Sequence, residues 1–304
     1  MRINTTIKSL FQQVFNRLLL PLSFLIVKLR VLQSYKQHLL STWNYPDNQN
    51  WIDSILFTPT FFAWIKYEYL KESDPDKRES LKHLAMGSES GRRWAQSYDN
   101  TPLNIGGTVG ELPFNEAIPL FSETEKVLIK KTGAVVIQIG SSSGREIAYL
   151  ASRFPNLQFI GTDIYPEVVT YSSKQHKEKN LKFQILAAKD IRTLLQKFQG
   201  KDVVLISSGS LQYVQPEHLE MFFQAVKQYH AEILLNEPGR FDKRSPDELQ
   251  GSQYRDNFSF THDYRYYAAK AGLKACASKI IRVHPSMPPS SLMYKTIHYF
   301  YHGT

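Results

Sequence analysis

The second half of the chain alternates strand-length apolar runs with helix-length segments, and this alternation limits the folds that it can adopt. Strands joined by helices form a parallel sheet that is covered on both faces. The alternation therefore predicts an α/β fold whose ligands bind at the carboxyl ends of the strands. The five runs are AVVIQI (134–139), LQFIGTDI (157–164), LKFQILAAKDI (181–191), DVVLISSGS (202–210) and AEILLNEPGRF (231–241).

Two more strand-length segments close the chain without room for a helix between them. They are LKACASKIIRV (273–283) and MYKTIHYFYH (293–302), joined by HPSMPPSSL. A connection this short joins antiparallel neighbours, because a parallel crossover needs about a dozen residues or more. We therefore predict a Rossmann-like seven-stranded sheet with an antiparallel C-terminal strand. Dehydrogenases differ, since their sheets typically have six parallel strands.

The loop after the first strand, GSSSGRE (140–146), looks like a nucleotide-binding turn that lacks glycines. A dinucleotide fingerprint needs glycine at its first, third and sixth positions, where this chain has Gly140, Ser142 and Arg145. A phosphate-binding loop is also missing, since the required lysine does not follow Gly144. The two glycines still permit a tight turn and a close ligand, but they give no evidence of a diphosphate.

Two acidic residues follow the second and third strands. Asp163 comes 19 residues after Gly144 (163 − 144 = 19), where a carboxylate can accept hydrogen bonds from both ribose hydroxyls of an adenosine. No basic residue follows it in DIYPE, which disfavours a phosphorylated ribose. Asp190 can bond an adenine amino group, or it can cap the helix predicted for DIRTLLQKF. A cofactor with adenosine but no phosphate fits, and S-adenosylmethionine is the common one.

With these motifs, residues from about 112 to 302 resemble the class I S-adenosylmethionine-dependent methyltransferases, whose seven-stranded sheet has its last strand inserted antiparallel. The resemblance implies that the glycine loop holds the methionine part of the cofactor, the acid after strand two the ribose, and the residues after strand three the adenine. The implied cofactor-binding residues are Gly140, Ser141, Ser142, Gly144, Asp163, Ile164, Lys189, Asp190, Ser207 and Ser208.

The chain departs from the family pattern at two positions of the loop. Gln138 stands two residues before the first glycine, where the family often has an acid, and Ser142 stands where it has a third glycine. Both departures weaken the contact expected with the methionine amino group. The alternative for Gln138 is a buried polar side chain that bonds to the backbone.

Methyl transfer is an in-line displacement, so catalysis requires positioning, plus a base if the acceptor is a hydroxyl. His262 is the first candidate for that base, and the alternative, which the pattern THDY slightly favours, is a helix start that Thr261 caps. Glu237 and Tyr213 are further catalytic candidates, and we expect His218 to face solvent. Without His, Cys and Asp residues at ligand spacing, we expect no tightly bound zinc or other metal.

Residues 1–110 read as a helical, basic, aromatic-rich extension and linker, and residues 111–304 as the methyltransferase-like domain. Residues 7–18 have the period of an amphipathic helix, whereas the apolar stretch 18–27 is too short to span a membrane. The first 46 residues hold six basic residues and no acid, leaving +3 of the net charge of +9 for the rest. The extension either contacts an anionic membrane surface through residues 1–40 or packs on the domain.

Two local patterns give further expectations. Ser122 and Glu125 form a capping-box start for a helix that runs to Lys131. The lone cysteine, Cys276, excludes an internal disulfide, so we expect a cytoplasmic protein and interpret this cysteine as structural.

The acceptor is predicted to be a small molecule or a glycan, lipid-linked if the basic extension contacts membrane, and methylated at oxygen or nitrogen. An RNA methyltransferase is the alternative among transferases, and it is disfavoured by the nearly balanced charge outside the extension. A nicotinamide-dependent oxidoreductase fails on the loop glycines. A catalytically silent interaction module that keeps the fold is the remaining alternative.

Overall fold

The computed structural model consists of two compact units, Met1–Ser90 and Gly91–Thr304. The amphipathic segment 7–18, the membrane-contacting region 1–40 and the domain boundary near residue 110 lie outside the described residues, so they stay predictions. The described residues are 58–86, 95–96, 117–238, 250–255, 258–282 and 294–302.

In the first unit, two described helices follow each other closely: α1 (Thr58–Lys71) and α2 (Pro75–Met86). The Asp74 carboxylate accepts hydrogen bonds from the backbone N–H groups of Asp76 (2.9 Å) and Lys77 (3.3 Å). An aspartate at this position with proline directly after it is a favourable helix start. The two described helices are therefore joined by a tight turn.

The second unit is built on a seven-stranded sheet in the order β3-β2-β1-β4-β5-β9-β8. Strands β1 to β5 are parallel, and β9 is antiparallel to both β5 and β8. The predicted antiparallel end of the sheet is confirmed, with the last strand inserted between the fifth and the sixth of the sheet. The strands are β1 (Val135–Ile139), β2 (Gln158–Asp163), β3 (Leu181–Ile185), β4 (Val203–Ser208), β5 (Glu232–Pro238), β8 (Lys274–Arg282) and β9 (Tyr294–Tyr301).

Helices cover both faces of the sheet. Because side chains alternate along a strand, Val135 and Ile137 of β1 pack with the helices that follow β3 and β4 and with the helix that precedes β8. Val136 packs on the other face, with the helices directly before and after β1. Both apolar layers are therefore filled by the period-two pattern of the strands. The helices are α3 (Ala117–Leu128), α4 (Arg145–Arg153), α5 (Pro166–Gln175), α6 (Ile191–Gln196), α7 (Pro216–Gln228) and α8 (Tyr264–Lys270).

A small antiparallel pair, β6 (Ser252–Tyr254) and β7 (Phe260–His262), lies between β5 and α8 in the chain. The predicted helix start at His262 is wrong, since this residue ends β7 and α8 begins at Tyr264. The Asp263 carboxylate caps α8 by accepting from the Tyr266 N–H at 3.0 Å. Aspartate took the capping role that was predicted for threonine because the residues before it are paired in a strand.

Three other local expectations are corrected. Helix α3 begins at Ala117, so Ser122 lies inside it, and the Glu125 carboxylate accepts from the Tyr149 hydroxyl (3.1 Å) rather than closing a capping box. His218 is buried on α7 because it lies on the face that packs against the sheet. Cys276 is exposed on β8, the outer strand of the sheet. None of the described helices is long and apolar enough to cross a membrane.

Helix α7 offers a test of the packing on the sheet. The ring of Phe223 is fully buried and contacts Phe222, Tyr267 and Phe300, whereas Met221 is 53% exposed. We expect Phe223→Ala to lower the free energy of unfolding by about 3–5 kcal/mol, because it leaves a cavity. The matched Met221→Ala substitution should change it by less than about 0.5 kcal/mol. Denaturant titration followed by circular dichroism measures both, and equal effects would contradict this packing.

Candidate functional site

The loop between β1 and α4 adopts a tight turn in which Gly140 packs directly against Ser210, in the segment after β4. Gly140 has φ of 63°, and a Cβ atom built on it would lie 2.1 Å from the Ser210 Oγ. Ser142 and Gly144 also have positive φ values, of 51° and 81°. The Ser141 N–H donates to the Thr162 carbonyl at 2.7 Å, which ties the loop to β2. The loop therefore lies at the carboxyl ends of β1, β2 and β4.

Asp163 lies beside this loop at the carboxyl end of β2. Its Oδ2 accepts from the Ser142 N–H at 3.2 Å, and its Oδ1 accepts from the Tyr165 N–H at 3.2 Å. Burial raises the pKa of this carboxyl above its ordinary value of 3.8, while the hydrogen bonds from Tyr165 and Ser142 oppose that rise. Each oxygen keeps a lone pair for a ligand, so both hydroxyls of a ribose can donate to Asp163.

Three buried polar atoms around the loop have no hydrogen-bond partner in the described part of the chain: Gln138 Oε1, Ser142 Oγ and Ser143 Oγ. Buried polar groups are normally bonded, so unbonded ones at one loop indicate a ligand. An amide oxygen accepts and hydroxyls do both, which fits the ammonium and carboxylate of a methionine moiety. The residues present therefore fit S-adenosylmethionine.

A carboxylate supports this loop from helix α4 instead of strand β1. The Gln138 Nε2 donates to the Glu146 Oε2 at 2.7 Å, and both side chains are buried. The Gln138 amide thus bonds to another side chain, whereas the alternative interpretation predicted a bond to backbone. The acid missing at position 138 has a counterpart in Glu146, which sequence reasoning overlooked because the two lie eight residues apart in the chain.

Side chains from α5 and β3 back the other side of the loop. The Ser172 hydroxyl donates to the Ser142 carbonyl at 2.6 Å, and the His176 Nε2 bonds the Ser143 carbonyl at 2.9 Å. The ring of Phe183 leaves no space for a Cβ atom at Gly144, which would lie 2.5 Å from it. The loop is therefore fixed from both sides before any ligand enters.

The residues predicted for the adenine follow β3 in a 3₁₀ turn, Ala188–Asp190. Asp190 occupies the N-cap position of α6, but its exposed side chain makes no capping hydrogen bond. Lys189 and Ile164 are half-buried. The Leu186 N–H donates to the Asp163 carbonyl at 2.9 Å, so the segment that leads into this turn lies next to Asp163. An adenine role for Asp190 stays a prediction.

Glu237, at the carboxyl end of β5, binds the turn that follows β4. Its Oε1 accepts from the Ser207 hydroxyl (2.6 Å) and from the backbone N–H groups of Ser210 and Leu211 (3.1 Å each). Its Oε2 accepts from the Gln212 N–H at 3.3 Å. A carboxylate held by these donors is suited to fixing a turn. The Ser207 hydroxyl is committed to Glu237, and Ser208 Oγ accepts from Asn236 at 3.4 Å.

His262 lies next to the 3₁₀ segment Leu211–Tyr213, which follows this turn. Its Nδ1 bonds the Ser252 hydroxyl at 2.5 Å, and its Nε2 is buried without a partner among the described residues. Burial, together with the charge of Arg255, lowers the pKa of His262 to about 3. Burial also raises the pKa of Tyr213. Near neutral pH Tyr213 keeps its proton, and the neutral ring of His262 is only weakly basic, so both side chains are better suited to hydrogen bonding than to proton abstraction.

Two residues near His262 carry polar groups that sequence reasoning missed. The Arg255 Nη2 donates to the Gln212 Oε1, and the Gln212 Nε2 donates to the Gly209 carbonyl at 2.6 Å. No motif marks either residue, since the contact joins positions 43 apart in the chain. Over the described ranges, no group of three or more His, Cys, Asp or Glu side chains could hold a metal ion.

A protein-family model described as "Methyltransferase domain" matches residues 136–231 of this chain. The match covers the glycine loop, Asp163 and the residues after β3 and β4. It ends before Glu237, Arg255 and His262.

Individual proteins are similar either over a short part of this chain or over most of it at low sequence identity. A tRNA (guanine-N(7)-)-methyltransferase of Campylobacter jejuni is 34% identical over 79 residues, which are 26% of this chain and 20% of that protein. The alignment thus spans about a fifth of the curated relative. A TehB-like SAM-dependent methyltransferase of Corynebacterium glutamicum is 13% identical, with a TM-score of 0.43 over 71% of this chain and 99% of that one. A SAM-dependent methyltransferase of Anabaena variabilis is 13% identical, with a TM-score of 0.48 over 71% and 95%.

The low pKa of His262 gives a direct test. We expect the carbon-bound ring protons of His262 to keep constant NMR chemical shifts between about pH 5 and pH 8, because burial keeps the ring neutral there. The assignment comes from the signal lost in His262→Gln. A titration midpoint inside that range would contradict the buried, uncharged ring and would restore His262 as a general base.

Proposed function

We propose that the protein transfers a methyl group from S-adenosylmethionine to a small-molecule or glycan acceptor. Residues 136–231 match a methyltransferase domain, and the sheet has the strand order of the class I S-adenosylmethionine-dependent family, to which this domain belongs. The observation that carries the proposal is the position of Asp163. Its carboxylate lies at the carboxyl end of β2 and is bonded to the backbone of the glycine loop.

Each part of the cofactor has a matching group at the carboxyl edge of the sheet. Asp163 accepts from the ribose hydroxyls, and the unbonded atoms of Gln138, Ser142 and Ser143 contact the methionine moiety. Glu146 balances the ammonium through its bond with Gln138. When bound, the sulphonium supplies an electrophilic methyl group. The chain itself supplies the orientation of that group toward the acceptor.

The groups on the acceptor side position the acceptor more than they deprotonate it. The oxygens of Glu237 are held by donors of the β4 turn, the imidazole of His262 is weakly basic, and Tyr213 stays protonated near neutral pH. Among the described residues, none of the three predicted catalytic side chains is therefore suited to general-base chemistry. This supports an acceptor atom that carries a free lone pair, such as an uncharged nitrogen, over a hydroxyl that must lose its proton first.

A tRNA acceptor is the second candidate, favoured by the similarity to a tRNA (guanine-N(7)-)-methyltransferase. That similarity covers a fifth of the relative. The net charge outside the first 46 residues is +3, which gives little attraction to a polyanion. The buried polar groups of Arg255 and His262 suit a compact acceptor better than an extended one.

A cytoplasmic location and contact of residues 1–40 with anionic membrane remain proposals that rest on the cysteine count and on the basic amphipathic sequence. If such contact occurs, it places the site near lipid-linked acceptors. The silent interaction module is the outcome expected if no cofactor binds.

Binding of S-adenosylhomocysteine tests the cofactor. At about 100 times its Kd this ligand should stabilise the full-length protein by about 2.7 kcal/mol, observed as a rise of several degrees in Tm, and NAD should cause no rise. Asp163→Ala should raise the Kd at least about tenfold, because two hydrogen bonds to a carboxylate are lost. Differential scanning fluorimetry measures the shifts.

Asp202→Ala is the matched control for this experiment. Asp202 lies just before β4, at the amino ends of the strands and away from Asp163, and its carboxylate is exposed. It should leave the shift unchanged. Stabilisation by NAD alone, or an undiminished shift in Asp163→Ala, would refute the cofactor assignment. No shift with either ligand would indicate the silent module.

The acceptor class is tested by transfer of a radiolabelled methyl group from S-adenosylmethionine. We expect incorporation into the small-molecule fraction of a cell extract, including sugar and lipid-linked glycan fractions, and none into total tRNA. Asp163→Ala serves as the inactive control. Incorporation that is confined to tRNA and sensitive to ribonuclease would overturn the small-molecule assignment in favour of the second candidate.

A further inference from the structure

Arg255 carries a guanidinium that lacks an anionic partner among the described residues. Its Nε is buried without a hydrogen-bond partner, and its Nη2 donates to a neutral amide, the Gln212 Oε1. The Arg255 side chain as a whole is half-buried, and withdrawing a charge from water is costly unless the charge is paired and hydrogen-bonded. An unpaired cation in a cleft is therefore evidence for a ligand of opposite charge.

The position of this guanidinium is fixed by the surrounding structure. The Arg255 N–H donates to the Ser259 carbonyl at 2.9 Å, which closes the hairpin of β6 and β7. Gln212, which holds the side chain, is itself bonded through its Nε2 to the Gly209 carbonyl at 2.6 Å. Arg255 is thus anchored to the turn after β4, the same turn whose Ser210 hydroxyl donates to the Gly140 carbonyl of the cofactor loop at 3.1 Å.

The ionisable groups around Arg255 do not neutralise it. The charge of Arg255 reaches Tyr213, His262 and Tyr264, and burial keeps all three uncharged near neutral pH. Glu237 acts on the same two tyrosines, but its oxygens accept from the Ser207 hydroxyl and from backbone N–H groups of the β4 turn. The Glu237 charge is thus stabilised by the donors of the β4 turn.

We propose that Arg255 binds an anionic oxygen group, a carboxylate or a phosphate, on the methyl acceptor. The inference rests on the proposed function and deepens it by naming the charge of the substrate. A guanidinium presents its donors in a planar fork that matches carboxylate and phosphate oxygens. With Nη2 held by Gln212, the buried Nε and the remaining N–H groups are left to bind the anion.

The two ends of the cleft also carry charges of opposite sign. Asp163 and Glu146 place carboxylates on the cofactor side, and Arg255 places a cation on the acceptor side. An anionic acceptor is therefore attracted to one end of the cleft and kept from the ribose carboxylate at the other. Arg255 acts as a specificity-determining residue and not as a catalytic one.

The test is an anion titration of the full-length protein, with and without saturating S-adenosylhomocysteine. Sodium phosphate and sodium acetate are each compared with sodium chloride at matched ionic strength, and Tm is followed by scanning fluorimetry. We expect phosphate, acetate or both to raise Tm with saturation, beyond the effect of chloride. In Arg255→Gln the apparent Kd for that anion should rise at least about tenfold.

Arg153→Gln is the matched control, because Arg153 is 59% exposed at the C-terminal end of α4 and pairs with the half-buried carboxylate of Glu125. It should titrate like the wild type. Arg255→Lys keeps the charge without the fork and should bind the anion more weakly than wild type. This variant decides the result if Arg255→Gln does not fold.

The outcomes separate the two proposals. No saturable effect of either anion on the wild type, or an unchanged titration in the Arg255 variants, overturns the anion site, and in the second case the binding is that of an adventitious ion only. Failure of S-adenosylhomocysteine to stabilise the wild type overturns the proposed function instead. The titration without that ligand still reports on Arg255.

Discussion

The Glu237 carboxylate is the contact on which the geometry of the whole cleft depends. It lies at the carboxyl end of β5 and binds three consecutive backbone N–H groups after β4, those of Ser210, Leu211 and Gln212. Buried N–H groups left without an acceptor cost about 1–3 kcal/mol each, so one side chain fixes this turn. The same turn contacts the glycine loop, through the bond of Ser210 to Gly140, and the β6–β7 hairpin, through the bond of Gln212 to Arg255.

This arrangement links two regions that are distant in sequence. Hydrogen bonds run from Asp163 to the glycine loop, from that loop to Ser210, and from the β4 turn to Arg255. The parallel order of β2, β1, β4 and β5 brings all these groups to one edge of the sheet. Under the proposed function, a cofactor and an acceptor bound at this edge would contact the same turn, which meets the need of an in-line displacement for alignment.

Local sequence patterns were sufficient to predict the strands, the antiparallel C-terminal pair and the glycine turn, because each depends on short-range periodicity or on glycine spacing. The placement of Asp163 beside the loop also followed, since the carboxyl ends of adjacent parallel strands meet. The roles of Glu146, Gln212 and Arg255 did not follow, because each depends on a side-chain contact between separate elements.

The local errors have the same origin. The short pairing of β6 with β7 overrides the helix start predicted at His262, and the side chain of Glu125 bonds to Tyr149 instead of capping its own helix. His218 is polar yet buried, because α7 directs it toward the sheet. Exposure of Cys276 follows from the place of β8 at the outer edge, which depends on strand order and not on the apolar residues around it.

The contact between Gly140 and Ser210 has a consequence for how related sequences can diverge. The space that a Cβ atom at position 140 would need is already filled by the Ser210 side chain, whose Oγ and Cβ would lie 2.1 and 2.4 Å from it. The two positions therefore share one volume and cannot enlarge independently. A homologue that carries a side chain at the position of Gly140 should have lost the one at the position of Ser210, so the pair should vary together across an alignment although 70 residues separate them.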